Sequence, residues 1–194
     1  MQPAIVLAST SRFRREIVER LGLNLICAAP VCDETPLENE HAADTARRLA
    51  RTKAESLGAS HPDALIIGGD QVALLDGRQL GKPKDFEDAV AMLRATAGRT
   101  LEFHTAIALY NPRSARVQEH TDLTRVTMRD LGEAAIRNYL KREPDALYCA
   151  GAAMSEGLGG ALIARIESTD PNALIGVPLF ALTDMLMNEG VEIL

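Results

Sequence analysis

Apolar positions along the chain fall into short unbroken runs set between stretches of helical spacing. Ala4–Ala8 is one such run and predicts a strand buried on both faces. From Arg12 to Leu21, Phe13, Ile17 and Leu21 recur on one face with Val18 beside them, which predicts an amphipathic helix. Ser9-Thr10-Ser11 supplies hydroxyls to cap its start, and Gly22 a left-handed stop. Leu25–Ala29, ended by Pro30, predicts a second strand. His41–Leu57 predicts a long helix with Ala46, Leu49, Ala50 and Ala54 inward and Arg47, Arg48 and Arg51 outward. Lys53 lies among its small apolar positions, so it either points toward a ligand or snorkels along the helix surface.

The stretch Ala64-Leu65-Ile66-Ile67-Gly68-Gly69-Asp70-Gln71 organises the rest. Four apolar residues without alternation read as a buried strand, and two glycines and an acid follow. In an open α/β sheet the ligand crevice lies just outside the carboxyl ends of the strands, so a carboxylate there sits at a mouth rather than in the core. Glycine admits a ligand close to backbone. The competing reading is a hairpin turn at the glycines, because Val72-Ala73-Leu74-Leu75 resumes the apolar run.

Asp76-Gly77 is a strong hairpin signal, and in Gly81-Lys82-Pro83 the proline restricts the backbone of Lys82. Glu87–Thr96 reads as a helix stopped by Gly98. Leu101–Tyr110 and Val117–Met128 read as long strands, Glu133–Arg142 as a helix, Ala161–Ile166 as a strand and Leu179–Asn188 as the closing helix. These elements predict an α/β fold: a mixed twisted sheet flanked by helices, a single domain over residues 1–194, with two lobes around a central cleft near residues 64–82.

Composition narrows the function. With 46% hydrophobic and 25% charged residues in 194, a sizeable core can form. A net charge of −6 argues against a nucleic-acid polymer as partner, which would call for a basic face. No apolar run approaches the roughly 20 residues of a membrane helix, and Met1-Gln2-Pro3 lacks a signal peptide's basic start, so the expected location is cytoplasmic with no membrane partner. Cys27, Cys32 and Cys149 form no CxxC pair and are expected to be buried free thiols.

The candidate chemistry is carried by acids, cations and one helix start. His41, His61, His104 and His120 show no ligand spacing, and neither GxSxG nor a Walker A loop is present. Glu34 and Asp70 could hold a hard cation such as Mg²⁺. Lys53, Lys82, Arg14 and the amides after Ser9 could offset triphosphate charge, a set suited to phosphoanhydride hydrolysis. Solvated arginines on an ordinary capped helix, and solvated acids in a loop, remain open as alternatives.

The chain resembles the Maf family of nucleoside triphosphate pyrophosphatases. The resemblance is carried by Leu7-Ala8-Ser9-Thr10-Ser11 with Arg14-Arg15, by Asp33-Glu34-Thr35-Pro36, by Ala46–Ala50 with Lys53-Ala54, and by Ile66-Ile67-Gly68-Gly69-Asp70-Gln71. Leu80-Gly81-Lys82-Pro83, His104-Thr105-Ala106 and Gly176-Val177-Pro178-Leu179 complete it. It implies release of pyrophosphate from a small-molecule nucleoside triphosphate with a divalent metal cation, Mg²⁺ or Mn²⁺, held by Glu34 and Asp70, and it implies a homodimer. The family's catalytic aspartate falls on Asp70, supported by Glu34, Lys53 and Lys82, with Ser9, Ser11, Arg14 and Arg15 toward phosphate.

Two departures stand out. Arg12 replaces the proline, and an aromatic the first arginine, of the usual Ser-Pro-Arg-Arg; Gly68-Gly69-Asp70-Gln71 replaces the usual Gly-Ala-Asp-Thr. Phe13, Gln71 and Glu156 look like the branch acting on 7-methyl-GTP, which more often carries tryptophan where Phe13 stands. An aromatic face attracts the methylated, cationic base by about 0.5–2 kcal/mol, and Glu156 could accept from the guanine N1–H and 2-amino edge. The alternatives are a dTTP or UTP pyrophosphatase of another Maf branch, or a non-catalytic nucleotide-binding regulator of septum formation. On residues alone, Phe13 fits core packing equally well, Gln71 an ordinary hairpin position and Glu156 a surface acid.

Overall fold

The computed structural model describes residues 3–35 and 37–194; Met1, Gln2 and Pro36, the last of which closes the Asp33–Pro36 motif, lie outside the described residues. Among the described residues a seven-stranded mixed sheet is flanked by five α-helices. The strands are β1 (Ala4–Ala8), β2 (Leu25–Ala28), β3 (Ala64–Leu75), β4 (Arg78–Leu80), β5 (Thr100–Asn111), β6 (Arg116–Met128) and β7 (Ile163–Glu167). The helices are α1 (Arg12–Glu19), α2 (Ala42–Ser56), α3 (Phe86–Thr96), α4 (Glu133–Arg142) and α5 (Leu179–Asn188). Strand order is β2-β1-β3-β5-β6-β7, with β4 on β3. β1 is parallel to β2 and β3, whereas β3–β4 and β6–β7 are antiparallel. Among the described residues no helix is long and apolar enough to cross a membrane.

The chain divides into two compact units. The first is Met1–Gln71, His104–Asp122 and Asp170–Leu194; the second is Val72–Phe103 and Leu123–Thr169. The boundary on β3 falls between Gln71 and Val72. In the first unit, Ile5, Leu7, Leu65 and Ile67 from β1 and β3 meet Ile17 and Val18 of α1 and Leu182 and Leu186 of α5 in one core. Both faces of these strands are covered, which is why their sequences run apolar without alternation. In the second unit α3 and α4 pack together, burying Val90, Leu93, Ile136 and Leu140.

Several expectations need correction. No turn interrupts β3 at Gly68-Gly69: one strand of 12 residues runs from Ala64 through Asp70 to Leu75. The reason lies on α2. A Cβ on Gly68 would strike the Ala50 carbonyl oxygen and come within 2.7 Å of the Ala54 amide, so this glycine serves close helix–strand packing. Asp76 and Gly77, with φ of 48° and 76°, make the two-residue turn into β4 that their sequence predicts. The last strand starts at Ile163 because residues 158–162 first make a 3₁₀ turn. There Gly159 presses against the Met154 backbone, where a Cβ would lie 2.7 Å from the Met154 nitrogen. The cysteines are not buried: Cys27 is exposed on β2, and Cys32 and Cys149 are half-buried in loops. Arg48 is not turned outward with Arg47 and Arg51; it bonds Glu40 through two nitrogens, both at 2.7 Å.

Candidate active site

The last parallel pair between β1 and β3 is Ala8 with Gly68. β1 then stops, Ser9-Thr10-Ser11 turns, and α1 begins, while β3 continues through Gly69 and Asp70. Asp70 thus lies within a strand, but just past the carboxyl end of the neighbouring parallel strand, where α/β sheets open their crevices. Its residue is 8% exposed.

Lys53, on the last turn of α2, is 5% exposed and reaches across to Asp70, with Nζ donating to Oδ1 at 2.7 Å. The same nitrogen lies 2.7 Å from Oε1 of Glu34, whose side chain is largely exposed. The lysine therefore points into the site rather than snorkelling, and its ammonium joins the two carboxylates. The close approach of α2 to Gly68 sets its reach. Adjacent acids separate here by role. Asp33 accepts from the Thr35 amide at 2.9 Å and is held below the usual carboxylate range by that loop, while Glu34 turns to the lysine.

Arg14 follows one turn into α1. Its Nε donates to the Gly176 carbonyl at 3.2 Å. A Cβ on Gly69 or Gly176 would lie 3.3–3.4 Å from its side-chain carbons and Nε, so the two glycines leave the channel in which the arginine lies. Burial pushes its pKa down, and the Asp70 and Glu34 carboxylates pull it back up. The guanidinium thus adds a second cation to the acid pair. Ser11 caps α1, its Oγ accepting from the Arg14 amide at 3.4 Å, and Ser9 Oγ accepts from the Ser11 amide at 3.1 Å. These two amides, offered by the sequence to an anion, are bonded within the turn. Arg15 is exposed and pairs with Glu19 at 2.7 Å.

Gln71 is tied down. Its Nε2 lies within donating distance of Thr105 Oγ1 at 2.8 Å, the Ala173 carbonyl at 3.1 Å and the Leu174 carbonyl at 3.0 Å. The Ala173–Gly176 segment that receives it also supplies the carbonyl bonded to Arg14. Asp170 holds the start of that segment, accepting from the Asn172 and Phe180 amides at 2.8 and 2.7 Å. Thr105, Gly176 and Asp170 were not singled out as site residues by the sequence. His104-Thr105-Ala106 and Gly176-Val177-Pro178-Leu179 stand among the family motifs, which was the available signal.

Phe13 is half-buried where Ile17 and Val18 are fully buried, and the Arg12 guanidinium carbon lies 4.7 Å from its ring centroid. Lys82 and Glu156 belong to the second unit. Lys82 is exposed beyond β4, next to Gly81, whose carbonyl accepts from the Gly151 amide at 3.2 Å. Glu156 is exposed and accepts from Ser155 Oγ at 3.1 Å.

The donor set suits a hard cation: Asp70 and Glu34 offer oxygen, which Mg²⁺ and Mn²⁺ prefer. Among the described residues no group of three or more His, Cys, Asp or Glu could form a protein-only cage. Two carboxylates fit an ion that retains waters and substrate phosphates as its other ligands. Chemically, an acid pair, a buried ammonium and a half-buried guanidinium form a place for an anionic group beside a base.

The family model described as Maf-like protein matches residues 4–189. The 7-methyl-GTP pyrophosphatase of Chromobacterium violaceum is 66% identical over 190 residues, covering 98% of each chain. That of Neisseria gonorrhoeae is 55% identical over 98% of this chain and 97% of its own. That of Thiobacillus denitrificans is 52% identical over 99% of this chain and 95% of its own. With the Asp70–Lys53–Glu34 cluster assembled from the family's own motifs and the match running nearly end to end, the chain belongs to the Maf family.

Proposed function

We propose that this protein is a cytoplasmic nucleotide pyrophosphatase that hydrolyses 7-methyl-GTP to 7-methyl-GMP and pyrophosphate. The observation that carries the chemistry is the Lys53 ammonium held between Asp70 and Glu34. The substrate comes from the relatives' names and from Phe13, the aromatic side chain next to Arg14 on α1.

Asp70 orients a water and takes its proton as the water oxygen attacks the α-phosphorus. The bond from that phosphorus to the bridging oxygen breaks, and pyrophosphate leaves with the electron pair. Lys53 fixes the carboxylate's orientation, and Arg14 balances phosphate charge. A divalent cation bound with the nucleotide, held by Asp70 and Glu34, would supply further positive charge at the phosphates. Lys82, a supporting lysine by the family resemblance, offsets charge on the leaving pyrophosphate, and Glu156 accepts from the guanine N1–H and 2-amino edge. Gln71 supports the site by tying β3 to the Ala173–Gly176 segment. A homodimer is part of the same proposal.

The test is a nucleotide panel with pyrophosphate detection, with and without Mg²⁺ or Mn²⁺. Cleavage of 7-methyl-GTP in preference to GTP, dTTP and UTP is expected. Preference for dTTP or UTP would move the protein to another branch, and absence of turnover with metal present would leave a nucleotide-binding regulator.

A further inference from the structure

The side chain assigned to the cationic base already carries a cation of the protein's own. The Arg12 guanidinium lies over the Phe13 ring at 4.7 Å from the centroid, within the range of a cation–π contact. Arg12 is also the first residue of α1, where no acid stands in the first turn, and a positive charge at a helix N-terminus opposes the helix dipole. The helix dipole therefore does not favour an arginine there.

We infer that Arg12 is a specificity-determining residue that lowers the enzyme's preference for the methylated, positively charged base over neutral guanine. The inference rests on the 7-methyl-GTP reading with Phe13 as the base contact. A ring already engaged by a guanidinium attracts a second cation less strongly. A base stacked on the ring also brings its charge to on the order of 8 Å from the guanidinium. Like charges at that separation in water change a binding ratio by about two- to threefold. The neutral base of GTP feels none of this, so the effect belongs to the ratio of the two substrates. It is also electrostatic: the screening length falls from about 10 Å at 0.1 M salt to about 3 Å at 1 M, so added salt removes it.

The experiment compares kcat/KM for 7-methyl-GTP and GTP in wild type, Arg12→Gln, Arg12→Lys and Phe13→Leu, at low salt and near 1 M salt. Salt effects on the shared triphosphate cancel in the ratio. Arg12→Gln is expected to raise the 7-methyl-GTP to GTP ratio about two- to threefold at low salt, with wild type approaching it as salt rises. Arg12→Lys keeps the charge and stays near wild type. An unchanged ratio in Arg12→Gln, or Lys and Gln variants that behave alike, overturns the inference while leaving the proposed activity standing. A ratio unmoved by Phe13→Leu overturns the base contact itself, and no cleavage of 7-methyl-GTP by wild type overturns both.

Discussion

Lys53 Nζ and Asp70 Oδ1 lie 2.7 Å apart with both residues buried, one on α2 and the other within β3. Burial makes this pair asymmetric to mutation. Lys53→Met leaves a buried carboxylate with no ammonium and with Glu34 facing it across the vacated position. Loss of one partner of a buried pair costs about 3–5 kcal/mol. Asp70→Asn keeps a polar, uncharged group beside a lysine that still pairs with Glu34 at 2.7 Å. Urea denaturation should therefore show Lys53→Met much less stable than Asp70→Asn, although both lose turnover. Nucleotide binding, measured by calorimetry, should survive in Asp70→Asn.

The two neighbouring glycines should separate stability from activity. Gly68 faces α2 backbone, where a Cβ would lie 2.7 Å from the Ala54 nitrogen and closer still to the Ala50 carbonyl oxygen. Backbone cannot yield as a side chain does, so Gly68→Ala should destabilise by about 1–3 kcal/mol or more. Gly69 faces the Arg14 side chain at 3.4 Å. Gly69→Ala should cost less in stability, yet it pushes Arg14 away from the acid pair and should lower kcat/KM. Thermal melts and pyrophosphate release on both variants check this, and equal stability losses would contradict it.

Gln71 and Thr105 illustrate what was legible in the sequence and what was not. The local signals succeeded: Gly22 takes φ of 68° at the end of α1, Asp76-Gly77 forms its turn, and Lys53 among small residues points inward. These depend on neighbours one helical turn or one hairpin away. The continuity of β3 through Gly68-Gly69 failed because its reason sits on α2, at Ala50 and Ala54. The Gln71 bonds failed because their partners lie 34, 102 and 103 positions along the chain. A glutamine reads as a polar residue until the fold brings two carbonyls to it. Arg48 likewise reads as one of an exposed arginine row, and only the turn of the loop brings Glu40 to its fork.

Those Gln71 bonds give a sharp test. Gln71→Glu keeps size and shape but replaces a donor with a carboxylate facing the Ala173 and Leu174 carbonyls. Leaving such acceptors unsatisfied costs about 1–3 kcal/mol, more when the replacement is charged. The variant should melt lower, and the loss should shrink at acidic pH as the new carboxyl protonates and recovers one donor. Because the same segment carries the Gly176 carbonyl that holds Arg14, its kcat/KM should fall as well.

Glu40 gives the chain a definite acid dependence. Its carboxylate accepts from Arg48 through Nε and a terminal nitrogen, from Thr45 Oγ1 at 2.9 Å and from the Leu37 amide at 3.3 Å. The Arg48 bond is the largest influence, and together these partners hold the carboxyl down from 4.5 to about 2. A carboxyl whose pKa is lower folded than unfolded adds stability that is fully present above its ordinary value. That contribution fades as pH falls from about 4.5 toward 2. Glu40→Gln should therefore be less stable than wild type at neutral pH, with the gap closing across that acid window in denaturant titrations. Arg48 also donates to the Thr35 carbonyl at 3.3 Å, beside Glu34, so the same variant should loosen the loop that presents Glu34 to Lys53. A stability gap that stayed constant from neutral pH to 2 would show that the Arg48 fork does not distinguish a carboxylate from an amide.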